Sequence, residues 1–181
     1  MPDPKYRIEA LNGAQRLKYR KALGHSPEHA RAEDVRALFP GAWRNYFKLC
    51  FVRNPFDRAV SDYIWRTRKT GNTRMTFHDF LQRMERSDFG NATIPRNFDN
   101  WPLYTIDDRI AVDFVGRFEQ LEADLDRVFG RMGLERAPPA PLAHTKCMQR
   151  TRGYREWYGD AERALVERLF KHELREFDYS F

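Results

Sequence analysis

Arg53 and Ser61 are two side chains whose types and spacing suggest an anion-binding site. They lie in the segment YFKLCFVRNPFDRAVSDY, residues 46 to 63, where an apolar run ends in Arg-Asn-Pro and an amphipathic run follows. A guanidinium offers a planar fork of N–H donors and a hydroxyl adds one neutral donor, a combination that suits a phosphate monoester. The segment therefore predicts that a phosphate or a similar anion binds here.

The elements that would position these side chains favour the same interpretation. The apolar run predicts a buried strand over residues 46 to 53, and the following run predicts a helix from Pro55 to about Arg68, with Asn54 as its N-cap. In open parallel sheets, ligands sit beyond the carboxyl ends of the strands. The backbone N–H groups and the dipole of the following helix favour anions at that place.

An ordinary ion pair is the competing interpretation of Arg53. Asp57 and Asp62 lie nearby along the predicted helix, and an exposed arginine–carboxylate pair contributes only about 0–1 kcal/mol. Strand–turn–helix units are common, so the residues alone leave both interpretations open.

The rest of the chain predicts helices interleaved with isolated apolar strands. Helices are predicted over residues 10 to 23 and 31 to 39, from residue 76, over residues 118 to 132, and from residue 160 through Leu174. Pro40 is expected to stop the second helix, residues 88 to 105 to form a long functional loop, and residues 110 to 115 to form a second buried strand. This order predicts an α/β fold with a mainly parallel sheet, in one domain spanning residues 1 to 181.

The composition limits the class of protein. Hydrophobic residues make up 41% of the 181 residues, which predicts a folded globule, and the formal net charge of +6, carried mostly by arginine, predicts an anionic partner. The basic residues form no dense run typical of a nucleic-acid-binding tail. Cys50 and Cys147 provide no disulfide framework, and Cys50 is interpreted as a core residue. No metal-ligand spacing, signal peptide or membrane span is recognised, so the sequence predicts a cytoplasmic protein without a metal, with peripheral membrane attachment left open.

Four segments, in order along the chain, carry a resemblance to the carbohydrate sulfotransferases, which use 3′-phosphoadenosine 5′-phosphosulfate. VRNPFDRAVSDY resembles their 3′-phosphate-binding motif, and GHSPEHARAEDVRALFP resembles the segment upstream of it. VDFVGRFEQLEADLDRVFGRMGL is similar to their strand–Gly-Arg-(Phe or Tyr)-Glu–helix segment, and YREWYGDAERALVERLFKHELREFDYSF to their ending in Phe-x-Tyr-x-Phe. The resemblance covers about residues 24 to 181 and implies a P-loop-like fold of three layers, with helices on both sides of the sheet.

The resemblance also implies roles for particular residues. Arg53 and Ser61 match the positions that hold the 3′-phosphate. His25 falls in the segment where related enzymes place the general base that deprotonates the acceptor hydroxyl, a role that suits an imidazole. The alternative for His25 is a surface histidine at the start of a helix.

Further matching positions lie in the second half of the chain. The loop that closes over the nucleotide in this family corresponds to the segment with Lys146, Arg150 and Arg152, which are otherwise interpreted as solvated side chains. Arg117 and Glu119 also match the family and are interpreted as structural, with Glu119 at the N-terminus of a helix.

One family element has no counterpart in this sequence. The element is an N-terminal strand and helix joined by a Lys-x-Gly-x-(Thr/Ser)-Ser loop, which cradles the 5′-phosphosulfate; nothing ahead of residue 24 resembles it. Lys69-Thr70-Gly71-Asn72-Thr73 spells Lys-x-Gly-x-Thr but follows a predicted helix, so it is interpreted as a helix–helix connection. The favoured explanation is that this sequence is a fragment or starts at the wrong codon, so that the loop is encoded upstream. The alternatives are a natural truncation and a partner chain that completes the site. We expect these 181 residues alone to transfer sulfate poorly.

The leading functional interpretation is a sulfotransferase-like domain that transfers a sulfuryl group to a hydroxyl of a sugar or polysaccharide. Its partners would be the nucleotide co-substrate and a carbohydrate acceptor. The first alternative is a non-catalytic relic or binding module that keeps the nucleotide pocket. The second is a basic nucleic-acid-binding domain, which no recognisable module supports. The acceptor, the choice between O- and N-sulfation and the oligomeric state are not specified by the sequence.

Overall fold

The computed structural model describes residues 13–24, 29–72, 74–95, 98–135 and 152–181. They form helices α1 (Gly13–Leu23), α2 (Ala32–Leu38), α3 (Pro40–Asn45), α4 (Pro55–Thr70), α5 (Phe77–Glu85), α6 (Trp101–Tyr104), α7 (Leu121–Arg131), α8 (Asp160–Leu169) and α9 (Lys171–Glu176), and strands β1 (Leu49–Val52), β2 (Thr105–Ile106), β3 (Arg109–Ile110) and β4 (Phe114–Arg117). The chain divides into two compact units, the first drawing on residues 1–46 and 102–111, the second on residues 47–101 and 112–181. The interpretation as a single domain stays a prediction.

The first unit contains α1 to α3 and the antiparallel hairpin β2–β3. Within it, the rings of Tyr19 and Phe39 meet edge to face at a centroid distance of 5.3 Å, and Ala32 at the start of α2 is buried. The hairpin turns at Asp107 and Asp108, which have φ angles of 51° and 56°. Two successive positive φ angles match the twist of the flanking strands, and aspartate tolerates them better than most residues.

The second unit is built on a parallel pair of strands. β1 and β4 run in the same direction, with Leu49 opposite Phe114 and Val52 opposite Arg117. Each strand leads into a helix: β1 into α4, and β4 through the 3₁₀ turn Phe118–Gln120 into α7. The predicted combination of helices with a parallel sheet is confirmed at this level.

The second predicted strand, over residues 110 to 115, is wrong in its bounds. Ile110 belongs to the hairpin, and the parallel strand begins only at Phe114. The chain changes direction at Asp113, whose Oδ2 accepts a hydrogen bond of 2.8 Å from the backbone N–H of Lys48 and lies 2.7 Å from its Nζ. This side-chain contact fixes the register of β4 against β1 and interrupts the apolar run.

Helix α4 begins and ends where local signals place it. The Asn54 side chain caps it by accepting a 3.0 Å hydrogen bond from Phe56 N, and Pro55 occupies the first position. Gly71 follows the last turn with φ 66°, the left-handed conformation that glycine adopts at helix ends. Lys69 and Thr70 therefore belong to the last turn of α4, so the predicted helix–helix connection is wrong in its start and begins only at Gly71. Thr73 lies outside the described residues.

The core of the second unit lies among α4, α5 and α8. Helix α5 starts at a capping box in which Asp79 N donates to Thr76 Oγ1 over 3.1 Å and Thr76 N donates to Asp79 Oδ2 over 3.4 Å. Apolar side chains of the three helices then pack into one buried cluster, which includes Phe56, Val60, Phe77, Phe80, Leu81, Met84, Leu165, Val166 and Phe170. This cluster anchors the N-terminal end of α4 that follows β1.

One predicted helix end needs an addition and one predicted helix is wrong in its continuity. Pro40 does not merely stop α2: Phe39 ends α2 with φ −131°, and Pro40 then opens α3, where a proline at the first position is favourable. The last helix is not continuous, because Phe170 leaves helical geometry at φ −121° and ψ 27° and separates α8 from α9.

Candidate functional site

Arg53 lies directly after β1, at the carboxyl end of the parallel strand pair. Its Nε donates to Asp57 Oδ2 over 2.5 Å, and the two side chains form an ion pair in which 19% and 21% of their surfaces are exposed. The Cζ atom lies 4.5 Å from the centroid of the Phe118 ring, which is itself half-exposed. The structure thus contains the ion pair that was the competing interpretation of Arg53. The aspartate and the ring together hold the guanidinium at the strand end.

The turn between β1 and α4 is held by Asn54 through three hydrogen bonds. Its side-chain oxygen caps α4, its backbone N–H donates to Glu119 Oε1 over 2.6 Å, and its Nδ2 donates to the Ser180 carbonyl over 3.0 Å. Glu119 belongs to the turn after β4, and Ser180 lies near the end of the chain. Two segments distant in sequence therefore fix this turn, together with the local cap.

The start of α4 offers fewer backbone donors than the sequence predicted. Pro55 has no N–H, the Phe56 N–H donates to the cap, and the Arg58 N–H donates to the Asn54 carbonyl over 2.9 Å. The expectation of several open N–H groups pointing at the site is corrected accordingly. An anion bound at this turn, as the sequence predicts, would be held mainly by side chains.

Ser61 lies two helical turns beyond Arg53, within α4, and only 6% of its surface is exposed. The described hydrogen bonds and ion pairs of Arg53 involve Asp57 and not Ser61. The joint use of these two residues on one phosphate stays a prediction.

Arg58, the second arginine of the motif, is committed to a buried carboxylate. Its two terminal nitrogens donate to Glu173 of α9 over 3.0 and 2.5 Å, and its Cζ lies 4.7 Å from the Phe170 ring centroid. Only 3% of the Glu173 side chain is exposed. This bidentate pair joins α4 to α9 and was not predicted from the sequence.

The end of the chain, residues 177–181, packs against the two strand ends. Arg117 Nη2 donates to the Phe177 carbonyl over 2.6 Å, and the Tyr179 hydroxyl donates to Glu119 Oε2 over 2.9 Å. Burial, followed by the hydrogen bond to Glu119, raises the pKa of Tyr179, so its hydroxyl is a neutral donor. The Phe181 ring contacts the Phe56 ring at the start of α4, with centroids 5.2 Å apart.

The register of the sheet is the signal that could have predicted these contacts. Val52 pairs with Arg117, so the residues after each strand lie at the same edge. Phe118 and Glu119 are therefore expected beside Arg53 once the two strands are paired. The Gly-Arg-Phe-Glu and Phe-x-Tyr-x-Phe patterns were noted in the sequence, but the contact between them was not.

Of the other four predicted site residues, the structure describes one. His25, Lys146 and Arg150 lie outside the described residues. Arg152 is exposed, and its Cζ lies 3.9 Å from the Trp157 ring centroid. The joint action of this loop residue with Arg53 on one nucleotide stays a prediction.

Cys50 of β1 is a protonated thiol, because burial and, secondarily, the charge of Glu173 raise its pKa to about 12. A cavity of about 350 Å³ lies at the ends of α5 and α8, where Arg168, Lys171 and His172 contribute to its lining. None of the predicted site residues lines it.

Within the described ranges, no group of three or more histidine, cysteine and carboxylate side chains is arranged to hold a metal ion. Among the helices that the structure describes, none is both long and apolar enough to cross a membrane.

Comparisons with known proteins agree with the motifs. Residues 12–180 match the sulfotransferase family, so the chain belongs to this family. The narrower prediction of a carbohydrate sulfotransferase stays a prediction. An uncharacterized protein from Archaeoglobus fulgidus is 31% identical over 103 residues, which cover 55% of this chain and 74% of that protein. No solved structure matches the chain significantly.

Proposed function

Because the chain belongs to the sulfotransferase family, we propose that it transfers a sulfuryl group from 3′-phosphoadenosine 5′-phosphosulfate to a hydroxyl of a sugar or polysaccharide. The observation that supports a nucleotide site is the position of Arg53: it follows a parallel strand, precedes a long helix and lies on a half-exposed aromatic ring. The donor would supply an activated sulfuryl group and leave as adenosine 3′,5′-bisphosphate.

Arg53 would bind the 3′-phosphate with the part of its guanidinium that does not face Asp57. The fork has five N–H donors, and Nε and Nη2 are the atoms directed at the aspartate. Asp57 then acts as an orienting partner, and the Phe118 ring supports the same cation from one face. Ser61 would add a neutral donor from the next turns of α4.

The charged side chains around this turn do not balance the negative charge of the nucleotide, so cations from another segment are needed. Arg53 faces Asp57 and Arg58 faces Glu173, so neither pair adds net positive charge. A nucleotide with a 3′-phosphate and a second phosphate group carries several negative charges. The loop cations Lys146, Arg150 and Arg152 are proposed to supply the compensating charge, as the family resemblance implies.

The finer features of the fold and of the chemistry belong to the same proposal. The β1–β4 pair would form part of a P-loop-like sheet with helices on both sides, which the parallel register and the strand-to-helix order support. His25 would remove the proton of the acceptor hydroxyl as the new oxygen–sulfur bond forms. A carbohydrate acceptor is supported by the resemblance of the motifs, and an acidic one would suit the net charge of +6.

Isothermal titration calorimetry with adenosine 3′,5′-bisphosphate tests the nucleotide site. We expect the wild-type protein to bind it at submillimolar concentration and Arg53→Ala to weaken binding about 10- to 100-fold, because a charge-assisted hydrogen bond contributes about 1.5–3 kcal/mol. Affinity for adenosine 5′-phosphate, which lacks the 3′-phosphate, should change little. Arg83→Ala is the matched control, because Arg83 forms a surface pair with Asp88 of 2.8 Å away from the strand ends.

Two results would contradict the proposal: a wild-type protein that binds neither nucleotide, or an Arg53→Ala variant that binds as well as Arg83→Ala. Transfer of labelled sulfate from the donor to a panel of polysaccharides tests the reaction itself. Binding without transfer to any member of the panel would contradict the proposed reaction for these 181 residues and leave nucleotide binding as their function.

A further inference from the structure

One carboxylate connects the Arg53 turn to the end of the chain. Glu119 Oε1 accepts the 2.6 Å hydrogen bond from Asn54 N, and Glu119 Oε2 accepts the 2.9 Å hydrogen bond from the Tyr179 hydroxyl. Both oxygens of the same side chain are therefore engaged, one by each segment. Because Asn54 directly follows Arg53, the orientation of the arginine backbone depends on where Glu119 is held.

Glu119 also lies next to the ring that supports Arg53. Phe118 carries the guanidinium at 4.5 Å from its centroid, and Glu119 binds the next backbone N–H after Arg53. The dipeptide 118–119 thus contacts both the side chain and the backbone of the dipeptide 53–54. A change in the Glu119 position would shift the guanidinium relative to a bound phosphate, and small misplacements weaken such contacts strongly.

Tyr179 is fixed so that its hydroxyl meets this carboxylate. The Arg117 guanidinium lies over the ring at 4.9 Å from its centroid and donates to the Phe177 carbonyl over 2.6 Å. The neighbouring Ser180 carbonyl accepts from the Asn54 side chain over 3.0 Å. Residues 177–181 therefore contact the β1–α4 turn in two ways: Tyr179 through Glu119, and Ser180 through its own hydrogen bond with Asn54.

We propose that Glu119 is a positioning residue for the 3′-phosphate of the nucleotide, and that Tyr179 holds it in place. Neither residue touches the phosphate: both act through the Arg53–Asn54 turn. The inference rests on the proposed function, because it assigns the phosphate to Arg53. It adds that two residues far along the chain, 65 and 125 positions after Asn54, determine how strongly the 3′-phosphate is bound.

Tyr179→Phe tests the proposal with little change in packing, because the ring is kept and only the hydroxyl is removed. The dissociation constant for adenosine 3′,5′-bisphosphate should rise about tenfold, the effect of one hydrogen bond to a charged group. For adenosine 5′-phosphate it should stay within about twofold, since the lost contact acts through Arg53. A merely structural role of the hydroxyl would weaken both nucleotides alike, and that result would overturn the proposal.

Thr93→Val is the control for loss of a hydrogen-bonded hydroxyl away from the strand ends. Thr93 is fully buried at the other end of α4, where its Oγ1 lies 2.9 Å from Thr70 Oγ1 and accepts from Asn72 Nδ2 over 3.2 Å. We expect this variant to lose thermal stability as Tyr179→Phe does, yet to keep the wild-type ratio of the two nucleotide affinities. A changed ratio in Thr93→Val would overturn the assignment to the Glu119 contacts.

Glu119→Gln and Glu119→Ala test whether the hydrogen bonds of Glu119 or its negative charge support nucleotide binding. The glutamine can still accept from Asn54 N and can donate its amide to the Tyr179 oxygen, so its affinity for the bisphosphate should stay within about threefold of wild type. The alanine loses both contacts and should weaken the bisphosphate by more than about tenfold. Equal losses in the two variants would overturn the proposal.

The same titrations distinguish failure of the proposed function from failure of the role proposed for Glu119 and Tyr179. Wild-type protein that binds no bisphosphate refutes the proposed function and this inference together. Arg53-dependent binding that is unaffected by Tyr179→Phe and Glu119→Ala refutes this inference alone.

Discussion

Replacing Arg58 with alanine should lower the free energy of unfolding by about 3–5 kcal/mol. The Arg58 side chain is 17% exposed and that of Glu173 is 3% exposed, with two N–H···O contacts of 3.0 and 2.5 Å between them. The variant leaves the buried carboxylate without its bidentate cation, which is the costly way to break such a pair. Since small proteins have a total stability of about 5–15 kcal/mol, the variant loses a large part of it.

The reverse substitution should cost less. Glu173→Ala leaves Arg58 without this carboxylate, but the guanidinium is the more exposed partner and its flexible stem can carry it toward water. We expect a loss of about 1.5–3 kcal/mol, the value for a hydrogen bond to a charged group. The double variant should lose less than the sum of the two single variants, because neither charge is left buried alone.

Urea unfolding followed by circular dichroism measures all three variants. Arg66→Ala is the control on the same helix: its Nε pairs with Asp62 Oδ1 at 2.7 Å, but the side chains are 25% and 29% exposed. That pair should contribute only about 0–1 kcal/mol. An Arg58→Ala loss as small as the Arg66→Ala loss, or strict additivity in the double variant, would refute the claim that the Arg58 pair is a buried structural link.

Two smaller predictions concern the strand pair. Gly116→Ala should destabilise the protein by about 1–3 kcal/mol and lower the thermal midpoint, because the added Cβ would lie 2.7 Å from Cδ1 of the Phe51 ring on the paired strand; an unchanged midpoint would show that the ring moves aside. Asp113→Asn should reduce thermal stability slightly at pH 7 and less at low pH. Hydrogen bonds from the Lys48 side chain and backbone lower the pKa of Asp113, so its contribution is present above the unfolded pKa of about 3.9 and is lost as pH falls through the folded pKa. A stability difference between wild type and Asp113→Asn that is constant with pH would contradict this assignment.

Elements set by neighbouring residues could be predicted, and those set by distant contacts could not. The start of α4 follows from Asn54 and Pro55, and the start of α5 follows from Thr76, because capping depends on residues within one helical turn. The run of residues 110 to 115 was misassigned because its apolar pattern continues across two elements. Asp113 separates them by binding the backbone of Lys48, 65 residues earlier, and no local pattern contains that contact.

The candidate site shows the same division. Arg53 could be singled out because a strand, an arginine and a helix start follow one another in the sequence. Its surroundings could not, since Phe118, Glu119 and Ser180 come from segments at least 65 residues away. The motif also contains Arg58, whose type and spacing suit anion binding equally well, but its geometry commits it to Glu173. A motif names the arginines of a site without saying which of them faces the ligand.

The way the turn is built determines how it can recognise a phosphate. Many phosphate sites use a row of backbone N–H groups at a helix start, but here the N–H groups of Asn54, Phe56 and Arg58 already donate within the protein. Those bonds make the turn rigid at the expense of backbone donors, so under the proposed function recognition would depend mainly on the Arg53 guanidinium. A rigid support increases the value of a single fork-shaped donor, because its orientation does not have to be fixed when the ligand binds. Under the proposed function, the distant contacts through Glu119 and residues 177–181 would therefore fix the orientation of Arg53 before the phosphate binds.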